Sequence, residues 1–411
     1  MIHILWFSNR AIITNDIKAS GSWLSAMASN ISKRDDIFLT NITKGNVKNI
    51  QHIKDGKIEE YILPNYPLNN GLPSKEKIDL ILACVKKSTP DLIHIWGVEG
   101  YWGLLKARGY LNQYKVLLEI QGVLYMCHHY YKADLHLSDF IRFQGIIKGI
   151  YSYIFVSLQK YKMKRRSVLE TEIISSCENI GYQSNWTYEH IKVINPYAYF
   201  HFSKLALRNE FSKEKWTFNS KHNIVTILSS QTYKGFHVTL QALSILRKDI
   251  PDIHLYAIGI KPNKSLRGND MFQRDLIKYL NLENHITLLG PLNAQKMIQY
   301  MSNSSCIVIS SFVESYSLVL AESLAYGIPC VVSKSCALAN LVEENKTALM
   351  FTPGDYVACA DRIKQIIDHP HIAFNLHNML QEQNNIALEK IDIANYQINI
   401  YNNILKQYKE C

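Results

Sequence analysis

The chain has 411 residues, 47% hydrophobic and 19% charged, which is enough for two or three domains with sizeable cores and excludes a disordered or low-complexity protein. Its 45 basic and 35 acidic residues leave a net charge of +10, which suits a phosphate-bearing partner: a nucleotide, a nucleic acid or an anionic membrane. Nothing matches a zinc finger, an RNP sequence or a heptad basic region, so nucleic acid is set aside.

Eight cysteines, scattered without a C-x-x-C pair or metal-ligand spacing, predict reduced thiols, a cytoplasmic protein and no metal site. No apolar run reaches the roughly 18 residues that a membrane-spanning helix needs. MIHILWFSNR has no basic n-region, and Ile2 to Phe7 reads as a first strand rather than a signal peptide. A loop through Gly21 then leads to a helix from about Trp23 to Ile31, a layout that serves a phosphate-facing turn or a plain helix entry.

Lys75 to Lys87 places Ile78, Leu82 and Val85 on one helical face, and Pro90 ends it. Strands follow at Asp91–Gly97 and Val116–Ile120. The loops after them carry Trp96, Glu99, Tyr101, Trp102, Gln121, Tyr125, His128 and His129. Aromatic faces beside hydrogen-bonding groups suit a sugar ring, although about half of such aromatics pack in cores instead. His128 and His129, being adjacent, point apart and do not suit a shared metal; either one faces an acceptor or both are surface residues.

From Ile141 to Val168 apolar and aromatic residues alternate with bases, ending in Lys160, Lys162, Lys164, Arg165 and Arg166. This predicts one or two amphipathic helices, lying on an anionic membrane or forming a core helix with a solvated basic end. Ile173 to Cys177 reads as another strand, Asn185 to His190 as a helix, and the Lys-rich stretch from Ser203 to His222 as a linker.

A second domain opens with the strand Asn223 to Leu228, followed by a turn through Lys234-Gly235 and a helix from about His237. Lys-Gly at such a turn can set an ammonium on a diphosphate, with the glycine permitting close approach. Strands ending at Gly259 and Gly290 come next. The stretch Ser304 to Ser333 then reads strand, loop with Glu314, helix carrying Glu322, Gly327 cap, Pro329 and strand, which is one βαβ unit. Ligands sit beyond the carboxyl ends of parallel strands, where helix N-termini favour anions. Two carboxylates so placed could grip two parts of one elongated ligand, or be ordinary loop and helix residues.

Glu314, seven residues, Glu322 and the tail Ala325-Tyr326-Gly327-Ile328-Pro329-Cys330-Val331 resemble the E-x7-E signature of family 4 retaining glycosyltransferases. The resemblance is strong from about Asn223 to Asp355 and looser before. It implies an α/β GT-B fold, two Rossmann-like domains facing across a cleft: residues 1–205 for the acceptor, 206–375 for the donor, and a C-terminal helix in 376–411 packing back on the first domain.

It further implies that Glu314 contacts the donor sugar and Glu322 the ribose. Lys234, Gly235 and the backbone of Ser315, Tyr316, Ser317 and Leu318 would meet the donor diphosphate, joined by Gly21. Gly259 and Gly290 would border the base, and Gln121, Glu99, Trp96 and His128 the acceptor. The chain departs from the pattern at Ser229, where the family has an Arg, and at Ser315-Tyr316-Ser317, where it has Gly-Phe-Gly. The implied activity is metal-independent transfer from a nucleotide diphosphate sugar to a saccharide or lipid-linked saccharide in bacterial surface-polysaccharide synthesis. A catalytically silent scaffold of the same fold is the alternative.

Overall fold

The structure, a computed structural model, describes residues 1–13, 23–262, 268–388 and 392–407. The chain forms two compact α/β units. One comprises Met1–Tyr125, Arg165–Ala206 and Ile391–Cys411, the other Met126–Lys164 and Leu207–Lys390.

The first unit is built on an eight-stranded sheet in the order β3-β4-β2-β1-β5-β6-β7-β8. Its strands are β1 (Ile2–Phe7), β2 (Ile37–Gly45), β3 (Gln51–Asp55), β4 (Ile58–Pro64), β5 (Leu92–Trp96), β6 (Val116–Glu119), β7 (Asn179–Tyr182) and β8 (Tyr199–Phe202). All pairings are parallel except β3 with β4. Central parallel strands are covered on both faces and read as apolar runs, as Leu92–Trp96 does. The order reverses between β1 and β5, which makes their carboxyl ends the switch point of this sheet.

His94 of β5 and Glu119 of β6 anchor a buried polar network. His94 and Glu119 are both fully buried, with His94 Nε2 3.4 Å from Glu119 Oε2. Ser203 Oγ donates to Glu119 Oε2 (2.8 Å) and Gln183 Nε2 donates to Oε1. His94 Nδ1 lies 2.8 Å from the Tyr401 hydroxyl, which also accepts from Trp6 Nε1 (3.1 Å). The helix Ile393–Gln407 is thus tied to the sheet by a buried hydroxyl. Burial pushes the Glu119 carboxyl up to about 8 and holds the His94 imidazole well below its usual range. At neutral pH the pair is an uncharged acid beside an uncharged imidazole.

The second unit carries a six-stranded, all-parallel sheet in the order β11-β10-β9-β12-β13-β14. Its strands are β9 (Asn223–Ile227), β10 (His254–Ile258), β11 (Ile286–Gly290), β12 (Cys306–Ile309), β13 (Cys330–Ser333) and β14 (Leu349–Phe351). Here the switch point lies between β9 and β12. The described cysteines are free thiols, five of them buried.

The division departs from the ranges 1–205, 206–375 and 376–411 in two places. Residues 126–164 leave the first unit and join the second, because Tyr131, Phe140, Phe143 and Val156 insert into its core, where Phe140 packs against Phe272 with ring centroids 4.6 Å apart and planes tilted by 40°. The C-terminal region is two helices rather than one. Pro370–Leu388 stays with the second unit, burying Ala373, Leu376 and Leu380, while Ile393–Gln407 belongs to the first. Ile173 to Ser176 is not a strand but the end of the 31-residue helix Ile146–Ser176, Cys177 follows it, and the strand is Asn179–Tyr182. A short apolar run buried on one side has no period that separates the two.

Candidate functional site

The second unit holds a cavity of about 450 Å³ at the β9/β12 switch point. Thr226, Ile227, Leu228 and Ser229 line it from the end of β9, Gly259 from β10, Ile309, Ser310 and Ser311 from β12, and Tyr316 to Val319 from the entry of the next helix. That helix, Leu318–Tyr326, begins where Ser317 Oγ accepts the Leu320 N–H at 3.2 Å and ends at Gly327 in the left-handed region. Its first turn presents main-chain N–H groups to the cavity edge, and the helix dipole adds positive potential there.

Two charged side chains line the cavity, Lys234 and Glu314, and they are paired. Lys234 Nζ lies 2.7 Å from Glu314 Oε1, which also accepts from Ser311 Oγ at 2.8 Å. Lys234 closes a single 3-10 turn, Thr232–Lys234, and Gly235 follows with φ +72°. A Cβ on Gly235 would stand 1.9 Å from the Ser310 carbonyl oxygen. The glycine therefore lets this turn press against the end of β12, holding the ammonium beside the carboxylate. Gly259, with φ +96°, sits in the same way against the Leu228 carbonyl.

Of the expected donor-site residues, Glu314, Lys234, Gly259, Tyr316, Ser317 and Leu318 are brought together around the cavity. Gly235 and Ser315 sit beside lining residues, and Gly290 ends β11, next to the lining Pro291. Glu322 is placed differently. It is 3% exposed and does not line the cavity, and Arg208 holds it through two hydrogen bonds, Nε to Oε1 (2.7 Å) and Nη2 to Oε2 (2.5 Å). The sequence reading missed Arg208 and Ser311. Arg208 lies in the stretch read as a linker, more than a hundred positions from Glu322, so only the fold pairs them. Gly21 lies outside the described residues.

Of the expected acceptor-side residues, Trp96, Glu99 and Gln121 gather in the first unit at the ends of β5 and β6. The Glu99 carboxylate lies where side chains on Gly97 and Gly122 would be. Trp96 Nε1 and Gln121 Nε2 are buried donors with no partner among the described residues. His128 belongs to the other unit, where its Nδ1 lies 3.1 Å from the Lys160 carbonyl and burial lowers its pKa. Its sequence distance from Gln121 is short, but the helix Leu124–His129 carries it out of the first unit.

Beside the Glu314 loop is a second cavity of about 370 Å³, lined by Asp134, Asp139, His237, Phe312, Asp355 and Tyr356 among others. His237 lies nearly parallel to Phe312, with ring centroids 5.8 Å apart, and burial lowers its pKa to about 4, so it is a neutral packing group. Asp139 and Asp355 accept helix-entry N–H groups. No group of three or more His, Cys, Asp or Glu side chains is placed to hold a metal among the described residues.

An anion-favouring helix entry beside a Lys–Glu pair, at the switch point of a parallel sheet, defines a ligand site of the Rossmann type. Residues 208–385 match the family model described as Glycosyl transferases group 1.

Among curated relatives, D-inositol 3-phosphate glycosyltransferase of Pseudarthrobacter chlorophenolicus is 28% identical over 141 residues, 34% of this chain and 33% of that protein. N-acetyl-alpha-D-glucosaminyl L-malate synthase of Bacillus anthracis is 25% identical over 136 residues, 33% of this chain and 35% of that protein. The chain thus spans about a third of the length of the curated relatives it matches.

Solved structures match over nearly the whole chain. Sucrose-phosphate synthase from Thermosynechococcus elongatus aligns with TM-score 0.75 at 16% identity, covering 99% of this chain and 100% of that one. Anabaena HepE in complex with UDP-glucose aligns at 0.67 and 14%, covering 100% of both. The shared fold is the GT-B architecture of two Rossmann-like units.

Proposed function

We propose that the protein is a retaining glycosyltransferase that moves a sugar from a nucleotide diphosphate sugar to a hydroxyl of a saccharide or lipid-linked saccharide. The observation that carries this reading is the Lys234–Glu314 pair on a 450 Å³ cavity at the β9/β12 switch point. The diphosphate lies against Lys234 and the first-turn N–H groups around Ser315 to Leu318, which offset the negative charge that grows on it as the sugar leaves. Glu314, steadied by Ser311, takes the sugar hydroxyls, and Glu322, oriented by Arg208, takes the ribose. Gly259 and Gly290 border the base.

In the transfer, the bond from the anomeric carbon to the diphosphate oxygen breaks and a bond to the acceptor oxygen forms. The acceptor proton ends on the diphosphate. No protein nucleophile is invoked, and Lys234 with the helix entry supplies the positive field without a metal or other cofactor. Trp96, Glu99 and Gln121 meet the acceptor. A role in bacterial capsule, exopolysaccharide or lipopolysaccharide synthesis, in the cytoplasm at the inner face of the membrane, fits these parts. Relatives named as inositol phosphate and malate glycosyltransferases support sugar transfer to a small hydroxylated acceptor equally well.

The test is a panel of nucleotide sugars offered to the purified protein with candidate acceptors and a chelator. One donor is consumed, and the product keeps the donor's anomeric configuration by proton NMR. An inverted product, or turnover that the chelator abolishes, overturns the mechanism. A second reading, a silent scaffold, draws on the missing Arg at Ser229 and on the engagement of Glu322 by Arg208. It predicts nucleotide binding without turnover of any donor.

A further inference from the structure

We propose that the solvent face of the helix Ile146–Ser176 is a docking surface for anionic lipid. This deepens the membrane-side part of the reading above and does not depend on its catalytic part. Within residues 146–164, Ile147, Ile150, Tyr151, Ile154, Leu158 and Tyr161 recur at three- and four-residue spacing, which is one face of a helix. A core-facing stripe would be covered. This one is open, with Ile147 86%, Ile154 52%, Leu158 54% and Tyr161 60% exposed. The opposite side of the same helix carries Ser152 and Val156, both fully buried, and Tyr153 and Met163 packed against the core of the second unit. The helix is therefore apolar on both sides, and only one side has found a partner.

Charge selects the occupant. Between Asp139 and Glu170 the sequence has four lysines, three arginines and no acidic residue. Around the helix, Lys148 and Lys162 fall on one flank of the stripe and Lys164 on the other, all three exposed. Asp275 lies 4.0 Å from Lys148 and is hydrogen-bonded to Gln144. An apolar stripe with cationic margins matches a bilayer surface, where acyl chains lie beneath anionic headgroups. Tyr151 and Tyr161 suit the headgroup level, with an apolar ring and a hydroxyl that stays wet.

A second copy of the chain is a poorer match, because a two-fold contact would set this cationic face against itself. From Ile147 to Tyr161 the stripe runs about 21 Å, so the helix lies along the surface. No helix among the described residues is long and apolar enough to cross a membrane.

The test uses the full chain and co-sedimentation with phosphatidylcholine vesicles, with or without phosphatidylglycerol. Binding to the anionic vesicles should exceed binding to the neutral ones by about tenfold or more and weaken as salt is raised. The triple variant Ile147→Ser/Ile154→Ser/Leu158→Ser replaces exposed side chains and should melt like wild type, yet lose about tenfold of the vesicle binding. Lys162→Glu/Lys164→Glu should lose the preference for phosphatidylglycerol. Equal binding by wild type and the triple variant, or no binding to either vesicle, overturns the proposal. So does a dimer that the triple variant disperses while vesicle binding is absent. Nucleotide-sugar binding, measured in parallel without vesicles, reports on the donor site alone, so the two readings fail separately.

Discussion

The two sheets each have a switch point, between β1 and β5 in one unit and between β9 and β12 in the other, and they equip it differently. At β9/β12 the charges are paired and aimed at a cavity: Lys234 with Glu314, and Arg208 with Glu322 just behind. At β1/β5 the strand ends carry Trp96, Glu99 and Gln121, with the Trp96 and Gln121 donors unpartnered among the described residues, while the carboxyl and imidazole of Glu119 and His94 are sealed in the sheet core without charge. One switch point is built around charge; the other keeps charge out of its core and leaves hydrogen-bonding capacity over. On the proposed function, the charged phosphate ligand would take the first and the uncharged hydroxylated acceptor the second.

The sharpest way to break this contrast is to remove the charge. Glu314→Ala and Lys234→Ala should each lower sugar transfer by about 10²–10³-fold, read as kcat/KM on the preferred donor, because each removes an interaction that strengthens as the diphosphate departs. Loss of Lys234 should also weaken nucleoside diphosphate binding. If transfer survives both changes, the paired charges are not the working part of the cavity.

Arg208→Met leaves the Glu322 carboxylate, 4% exposed by its side chain, without its partner. Breaking such a pair costs about 3 kcal/mol, visible as a lower denaturant midpoint for the second unit. Donor affinity should fall as well, since Glu322 is no longer held in place. The double variant Arg208→Met/Glu322→Met should recover stability without recovering donor affinity, which separates the structural from the binding contribution.

Gly235→Ala tests whether the turn that carries Lys234 depends on close approach to the end of β12. The new methyl would meet the Ser310 carbonyl, and φ is +72°. The expected loss is about 2 kcal/mol or more, together with reduced transfer as Lys234 is displaced. An unchanged melting temperature would show that the turn can move aside.

The first unit should reveal its uncharged core in a pH profile. Glu119 has a folded pKa of about 8 against an ordinary value near 4.5, so the folded protein holds the proton more tightly and stability falls as pH rises. His94 works in the opposite sense below about pH 6.5, where its folded form resists protonation. The two effects offset each other in acid, and from about pH 6.5 to 8 only Glu119 of this pair acts; Glu170, which burial raises to about 7, adds a smaller loss of the same sign near pH 7. Over that window wild type should lose up to about 2 kcal/mol more than Glu119→Gln, which cannot ionise at this position and keeps only the smaller fall due to Glu170. Parallel profiles would show that the carboxyl is already charged in the fold.

Much of the second unit was legible in the sequence, because a βαβ crossover writes itself locally. Cys306–Ile309, Glu314, Gly327 and Pro329 lie within one short stretch, and Lys234-Gly235 follows its own strand. What escaped depends on contacts between distant residues. Arg208 meets Glu322 across 114 positions, and His94 meets Tyr401 across 307, with no local pattern to announce either. The excursion 126–164 escaped for a related reason. Its apolar residues signal burial but do not say against which unit, and the helix Ile146–Ser176 passes without a break from one unit to the other. His128 lies within it and so falls in the second unit.

The central claim is that the Lys234–Glu314 cavity is a nucleotide diphosphate sugar site, and calorimetry tests it most directly. Wild type, Lys234→Ala and Trp96→Ala would each be titrated with a panel of nucleoside diphosphates and their sugars. Saturable binding of one nucleotide by wild type and by Trp96→Ala, weakened about 30- to 100-fold in Lys234→Ala, is the predicted result, since a charge-assisted contact contributes about 2–3 kcal/mol. No binding across the panel, or equal binding by wild type and Lys234→Ala, would contradict it.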